Sequence, residues 1–129
     1  MFITQISIFV ENKVGRLAEI TEVLAKNNID ISALSVADTS DFGVLRLIVD
    51  QPDLARRALA EHGVITKATQ VIAVQMEDRQ GGLSEKLNLL KAAGITIEYL
   101  YAFLGRTEGL AQMVLRVDRP EEAEQLLSR

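Results

Sequence analysis

Apolar and polar residues alternate along residues 2–10, and this alternation predicts a β-strand with one buried face. Gly15 follows the strand and predicts a turn. The apolar spacing then changes to that of a helix with a single buried stripe, on Leu17, Ile20 and Leu24. The chain therefore opens with a strand, a glycine turn and an amphipathic helix.

Two further β-rich runs come after this helix, "IDISALSVA" at 29–37 and "FGVLRLIVD" at 42–50, with a predicted hairpin between them. A second helix is expected at 53–61, ending at Gly63. The run 64–76 is long enough to finish one sheet and to begin another. The pattern of the first half is thus β-α-β-β-α, with a fourth strand available.

The phrase "ENKVGRL" at 11–17 returns as "EDRQGGL" at 77–83, 66 positions later. The match continues to "VDQPDLARRAL" at 49–59, which returns as "VDRPEEAEQLL" at 117–127 with an offset of 68. An internal repeat of this length indicates a duplicated unit. We therefore expect two domains, 1–68 and 69–129.

The repeated phrase at 49–59 and 117–127 contains two acidic residues three positions apart with a proline between them, a spacing that resembles a helix capping box. Asp50 and Asp118 would cap the helices that begin near Pro52 and Pro120. Asn28 and Gly94 occupy equivalent positions after the first helix of each copy, and both residue types tolerate the left-handed conformation that ends a helix.

This element order predicts an α+β fold made of two ferredoxin-like βαββαβ repeats, each an antiparallel sheet with its helices on one face. The second repeat lacks a clear last strand, because the sequence stops at Arg129, directly after its second helix. An unpaired strand edge and an open sheet face invite association. We expect a homodimer or a larger assembly.

Composition narrows the possible partners. The formal charge of −4 and the pI near 5 argue against nucleic acid, which requires a basic surface. No apolar run reaches the roughly 18 residues of a membrane span, and the N-terminus lacks the basic start of a signal peptide. The chain has no cysteine, so we expect neither disulfides nor thiolate chemistry, and a cytoplasmic location.

Candidate catalytic chemistry is sparse, and we expect no catalytic residue, no bound metal and no cofactor. His62 is the single histidine and falls at the end of the second helix, where a cation interacts favourably with the helix dipole. No second histidine and no thiolate could complete a metal site with it. Phosphate-binding and dinucleotide-binding fingerprints are missing from the sequence.

An apolar strand, an "N-K-x-G-x-L" turn, a helix, "N-I-D-I", a hairpin and a second helix resemble the ACT domain, a small-molecule sensor of amino-acid metabolism. The resemblance covers the whole chain, once per copy. It implies that two sheets lie edge to edge with an amino acid between them. The ligand would contact the strand-to-helix turn of one unit and the start of the second strand of the other.

The resemblance selects candidate ligand-binding residues in both copies. They are Asn12, Val14, Gly15, Arg16, Leu17, Asp30 and Ile31 in copy one, and Asp78, Gln80, Gly81, Gly82, Leu83, Thr96, Ile97 and Tyr99 in copy two. A glycine after a strand allows close backbone approach, and the free N–H groups of the next helix favour an α-carboxylate.

Each of these roles has an alternative. The glycines could serve only the turns. Asn12 and Asp78 could receive an α-ammonium group or cap a helix. Arg16 could bind a carboxylate through two hydrogen bonds, or could be an exposed residue of the first helical turn.

The aromatic run "YLYAF" marks a difference between the copies. Tyr99, Tyr101 and Phe103 share one strand face by the period of two, and we expect a bulge upstream that turns them away from the helices. Rings on an uncovered sheet face would form either a ligand wall or an interface between repeats or subunits.

The sequence leaves three hypotheses open. The first is a non-catalytic sensor that binds an amino acid between its repeats and regulates amino-acid metabolism. The second is a ligand-free module that dimerises or docks a partner enzyme. The third is a small enzyme of the same fold.

Overall fold

The structure is a computed structural model that describes residues 1–11, 13–38, 42–105 and 107–128. The chain divides into two compact units. The first comprises Thr4–Thr69 and is called the N-terminal unit below. The second, the C-terminal unit, comprises Gln70–Arg129 together with Met1–Ile3.

The order of elements is the repeated one that the sequence predicts. The bounds are β1 (Phe2–Glu11), α1 (Arg16–Lys26), β2 (Ile31–Asp38), β3 (Phe42–Val49), α2 (Pro52–Glu61), β4 (Thr66–Glu77), α3 (Gly82–Ala92), β5 (Ile97–Ala102), β6 (Leu110–Val117) and α4 (Pro120–Leu127). In the N-terminal unit β3 pairs antiparallel with both β1 and β2. In the C-terminal unit β6 pairs antiparallel with both β4 and β5. The predicted α+β, ferredoxin-like fold of two repeats is confirmed.

Each unit buries the strand positions of one parity beneath its two helices. The core of the N-terminal unit includes Ile6, Ile8, Val10, Ile20, Leu24, Leu45, Leu47 and Leu59. The core of the C-terminal unit includes Ile72, Val74, Met76, Leu90, Leu115, Val117 and Leu127. Each fully buried aliphatic side chain of this kind stabilises the folded state by about 1.5–3 kcal/mol.

The helices end as the sequence predicts. Asn28 adopts a φ of 57° and Gly94 a φ of 69°, so both residues take the left-handed conformation after α1 and α3. Asn28 is the one non-glycine residue with positive φ in the described part of the chain. Two different residue types therefore close the equivalent helices in the same way.

The predicted capping boxes are wrong. No side chain caps α2 or α4. The Asp50 carboxylate instead accepts a hydrogen bond from the backbone N–H of Asp30 at 3.0 Å, and the Asp118 carboxylate accepts one from Thr96 at 3.0 Å. Each aspartate also donates its own N–H to the carbonyl of the same partner, at 3.2 Å in both units. These residues join the start of the second strand to the end of the third.

A register shift interrupts the second strand of each unit. It lies between Ile31 and Ala33 in β2 and between Ile97 and Tyr99 in β5. The expected bulge is thus present in both copies. Beyond it, Leu100 pairs with the core residue Leu115.

Met1–Ile3 lies beside β4 in the C-terminal unit. The N–H of Ala73 donates to the carbonyl of Met1 at 2.8 Å, and the terminal amine of Met1 donates to the carbonyl of Ala73 at 3.2 Å. Met1 therefore pairs with the edge of β4 that faces away from β6.

Candidate functional site

The turn before α1 is built on Gly15, which has φ 83° and ψ −4° and occupies the N-cap position. The N–H of Arg16 donates to the carbonyl of Lys13 at 3.3 Å, and the carbonyl of Gly15 accepts the N–H of Glu19 at 3.0 Å. No side chain caps the helix. The backbone N–H groups of the first turn therefore make no hydrogen bond to a capping side chain. A helix start that binds an anion requires this.

The turn before α3 repeats this backbone. Gly81 has φ 83° and ψ −6°, and α3 likewise has no side-chain cap. The N–H of Gly82 donates to the carbonyl of Arg79 at 3.1 Å. A Cβ atom on Gly82 would lie 2.3 Å from the carbonyl oxygen of Glu77, so this residue has to be a glycine.

The charged groups of the first turn form two separate ion pairs. The Lys13 ammonium lies 2.7 Å from the Glu11 carboxylate, and the Arg16 guanidinium lies 3.2 Å from Glu19. The hydrogen bond from Lys13, aided by its charge, lowers the pKa of Glu11. Arg16, a candidate carboxylate clamp, is therefore engaged with an acid of its own helix.

One arginine carries the charge network of the second turn. The Arg79 guanidinium contacts Glu85 at 2.6 Å and Glu77 at 2.5 Å, and it also donates to the carbonyl of Gln80 at 3.1 Å. The hydrogen bonds to Glu85 and Glu77 raise the pKa of Arg79. The hydrogen bond from Arg79 lowers the pKa of Glu85.

A depression lies at each turn. The one at the first turn has a volume of 80 Å³ and is lined by Val10, Glu11, Lys13, Arg16, Leu17, Val36 and Gly43. The one at the second turn is a wider, more open surface of 540 Å³, lined by Arg79, Gly81, Leu83, Ser84, Leu87, Asn88 and Lys91. Both combine apolar side chains with cationic ones.

The second-strand candidates lie away from the turns of their own units. Asp30 and Ile31 come after α1, whereas Gly15 precedes it. A helix of 11 residues spans about 16 Å, so the two ends cannot share a ligand the size of an amino acid. Thr96 and Ile97 are separated from Gly81 by α3 in the same way. Within one unit, the turn candidates and the second-strand candidates therefore do not come together.

The remaining candidates are exposed in their turns or already bonded. Val14 is fully exposed at the tip of its turn, and Gln80 and Asp78 are exposed in theirs. The N–H of Asp78 donates to the carbonyl of Gly109 at 3.0 Å. Asn12 lies outside the described residues. The backbone N–H groups of Asp30 and Thr96 are bonded to the carboxylates of Asp50 and Asp118.

Sequence reasoning missed several residues that line the first depression. Val36 and Gly43 come from β2 and β3, and a Cβ atom on Gly43 would approach the carbonyl oxygen of Ala37 to 3.0 Å. A glycine inside an otherwise apolar strand was the available signal, since it indicates a close backbone approach. Both turns also carry a basic residue at the equivalent position, Lys13 in the first and Arg79 in the second, and this was a second sequence signal for the depressions.

The tyrosines of β5 lie on the sheet face opposite the core. Tyr99 pairs with Arg116 and Tyr101 with Val114 in the neighbouring strand. The two rings stack with centroids 6.4 Å apart and an interplanar angle of 23°. Tyr101 is buried and Tyr99 is half-buried.

His62 lies at the end of α2, where its Nδ1 is 3.0 Å from the carbonyl oxygen of Ala58. Within residues 1–11, 13–38, 42–105 and 107–128, no three metal-ligating side chains come together. None of the helices found in these ranges combines the length and the apolar character needed to cross a membrane.

Comparison with known proteins supports the assignment of the fold. A protein-family model described as an ACT domain pair matches residues 1–128. The crystal structure of protein BT0572 from Bacteroides thetaiotaomicron is similar, with 41% sequence identity and a TM-score of 0.92, over 99% of this chain and 88% of that one. None of the curated proteins matches the chain.

A more distant structure shares the fold alone. It is the regulatory subunit of aspartate kinase from Thermus thermophilus in a ligand-free form, with 15% identity and a TM-score of 0.69, over 97% of this chain and 90% of that one. The two ferredoxin-like units with glycine turns have the architecture that an ACT domain pair requires. This chain belongs to the family of ACT domain pairs, which points to a regulatory rather than a catalytic role.

Proposed function

We propose that this protein is a non-catalytic sensor that binds an amino acid and thereby regulates amino-acid metabolism. The observation that carries the proposal is the matched pair of glycine turns. Gly15 and Gly81 share one left-handed conformation and open helices that lack side-chain caps. Such a helix start suits an α-carboxylate, because its N–H groups and its dipole both favour an anion.

The complete site is proposed to need two ACT units. The turn of one unit would bind the carboxylate, and the second-strand start of another would contact the rest of the ligand. This division is supported by the length of α1, which separates Gly15 from Asp30 within a unit. We expect the acidic side chains at the turns to receive the α-ammonium group.

Assembly and location form part of the same proposal. We expect a homodimer, because large apolar side chains of the N-terminal unit are exposed, with Phe9 79% and Phe42 53% exposed. Light scattering at micromolar concentration should give twice the mass of the chain, and a monomeric mass would contradict the expectation. A chain without cysteine suits the reducing cytoplasm, where we expect the sensor to act.

A thermal-shift screen against the proteinogenic amino acids tests the proposal. A ligand that binds only the folded state raises the melting temperature. At a concentration 100-fold above its Kd, it adds about 2.7 kcal/mol to the free energy of unfolding. We expect one amino acid, or a few related ones, to do so at millimolar concentration. If none does, the sensor proposal fails.

The variant Gly81→Val then tests whether any ligand found in the screen binds at the second turn. The substitution places a side chain in the turn, where a Cβ atom would meet no atom nearer than the Arg79 guanidinium at 3.7 Å. We expect calorimetry to show binding abolished in a protein that still folds. Gly63→Val is the matched control, because Gly63 also has a positive φ, 75°, but lies after α2 in the N-terminal unit and not in the turn that Gly81 forms. Unchanged affinity in folded Gly81→Val would place the site elsewhere.

The interaction module is the second candidate, favoured by the same exposed Phe9 and Phe42. It differs from the sensor in one measurable respect. A module that only docks a partner gains no stability from any amino acid, whereas a sensor does.

A further inference from the structure

The helix surface that adjoins the second turn is more apolar than its counterpart at the first turn. Leu83 is 36% exposed and Leu87 is half-buried, and both line the depression that also includes Gly81. At the position of Leu87 in the repeat, α1 has Thr21. Leucines four positions apart lie on the same face of a helix, so Leu83 and Leu87 form an apolar strip beside Gly81.

The polar groups around this strip differ from those of α1 as well. Asn88 stands where α1 has the carboxylate of Glu22, and its amide donates to the Ser84 hydroxyl at 3.4 Å. The surface beside the strip has therefore lost a negative charge relative to α1. Lys91 and Arg79 place positive charges at the same depression. A ligand with a cationic side chain is disfavoured here, because like charges repel.

The strand side of the second turn is filled by larger side chains than that of the first. Val10 and Gly43 pair across β1 and β3, and both line the first depression. The equivalent pair in the C-terminal unit is Met76 and Ala111, and Met76 is only 6% exposed. A longer side chain and an added methyl group therefore occupy this place in the second unit. The surface left for a ligand side chain at the second turn is that of α3.

The two depressions also differ in size. The first has a volume of 80 Å³ and the second one of 540 Å³. A cavity of about 150 Å³ in a protein core holds one benzene molecule. By this measure the first depression has room for about three carbon atoms. The second has room for the whole side chain of leucine or phenylalanine.

We propose that the second turn selects an amino acid with a large apolar side chain, which packs along Leu83 and Leu87. This selectivity rests on the proposed sensor function, with the α-carboxylate of the ligand at Gly81. A side chain of this size does not fit the first depression, so the two turns are not equivalent as binding sites. An acidic side chain suits the strip less well, because Arg79 already bonds to two carboxylates.

Calorimetry with a series of amino acids tests this selectivity. Each CH₂ group that a ligand buries tightens binding by about fourfold. Leucine has a longer aliphatic side chain than alanine, and we expect it to bind at least about tenfold more tightly. Phenylalanine should also bind more tightly than alanine, whereas glutamate and lysine should not.

Two substitutions shorten the apolar strip one residue at a time. Leu87→Thr gives α3 the residue type that α1 has at this position, and Leu83→Ala truncates a side chain that is already partly exposed. In each variant the Kd of leucine should rise about tenfold, while that of alanine stays within about twofold. Leu87 also packs on the core, so Leu83→Ala provides the test if Leu87→Thr does not fold. Circular dichroism and the melting temperature check the fold of each variant.

Leu89→Thr is the matched control. Leu89 is 41% exposed and lies two positions after Leu87, which places it on a different side of α3. We expect this variant to leave the ratio of leucine to alanine affinity unchanged. An equal change of the ratio in Leu89→Thr would contradict the role of the strip.

Failure of the selectivity can be told apart from failure of the sensor function. If no amino acid binds, both are wrong. If the ligand that Gly81→Val loses is best represented by alanine, glutamate or lysine, the sensor function stands and the selectivity is wrong. Unchanged leucine binding in folded Leu83→Ala and folded Leu87→Thr would likewise overturn the selectivity.

Discussion

The two strand-to-helix turns have the same backbone and different charge networks. Gly15 and Gly81 share φ 83°, yet the first turn uses two cations, Lys13 and Arg16, and the second uses Arg79 alone. In the second turn Gly82 stands where the first has Arg16, and the chain passes close to the Glu77 carbonyl. The comparison shows that glycine conformation fixes the turn, whereas the ion pairs around it can be rearranged.

The largest expected effect comes from Gly82→Ala. Its Cβ atom would overlap the carbonyl oxygen of Glu77, a backbone atom that cannot move without distorting β4. We expect a loss of about 3 kcal/mol in the free energy of unfolding, measured by urea denaturation. Arg16→Ala at the equivalent position is the control and should cost less than about 1 kcal/mol. Equal losses would mean that the second turn is no tighter than the first.

Gly15→Ala and Gly81→Ala are expected to have the next largest effect, and an equal one. Both residues have φ 83°, a conformation that costs a residue with a Cβ atom about 1–2 kcal/mol. Space is not limiting, because the Cβ atom would meet nothing within 4 Å at Gly15 and only an arginine tip at Gly81. Urea denaturation of the two variants should agree, and a twofold difference would refute the equivalence of the turns.

Arg79→Ala should lower the melting temperature by about twice as much as Lys13→Ala. The first substitution removes contacts to both Glu77 and Glu85, and the second removes the contact to Glu11 alone. Salt screens exposed ion pairs. The difference between the variants should therefore shrink at about 1 M NaCl, and a difference independent of salt would contradict an electrostatic origin.

The smallest expected effect is on the pH dependence of the protein's stability, which arises from the ion pair between Arg79 and Glu85. Arg79 lowers the pKa of Glu85 in the folded state, so this carboxylate stabilises the protein above its unfolded pKa of about 4.3. That contribution is lost as the pH falls through the lower, folded pKa. The stability difference between the wild type and Arg79→Ala should thus become smaller at acid pH, where the contribution of Glu85 is lost.

Carboxyl-resolved NMR titration checks this directly. The midpoint of Glu85 should rise in Arg79→Ala, because the hydrogen-bonding partner is gone. The midpoint of Glu11, held low by Lys13, should stay unchanged in the same variant. An unchanged Glu85 midpoint would mean that the ion pair does not form in solution.

The sequence by itself determined the duplicated unit, the order of its elements and the conformation of its turns. These features are local: alternation predicts a strand, the helical spacing predicts a buried stripe, and Gly15, Gly81, Asn28 and Gly94 are residues that adopt positive φ at little cost. The bulge in β2 and β5 was also foreseeable, since the apolar positions change parity within the strand.

Only the tertiary structure decided the pairings between distant residues. Asp50 and Asp118 were predicted to be helix caps, but each bonds to the start of a strand 20 or more positions away in sequence. Met1–Ile3 joins the C-terminal unit, and Arg79 gathers both acids of its turn. A local pattern records the backbone preference and burial of a residue, whereas the choice among competing partners depends on which groups the folded chain brings within reach.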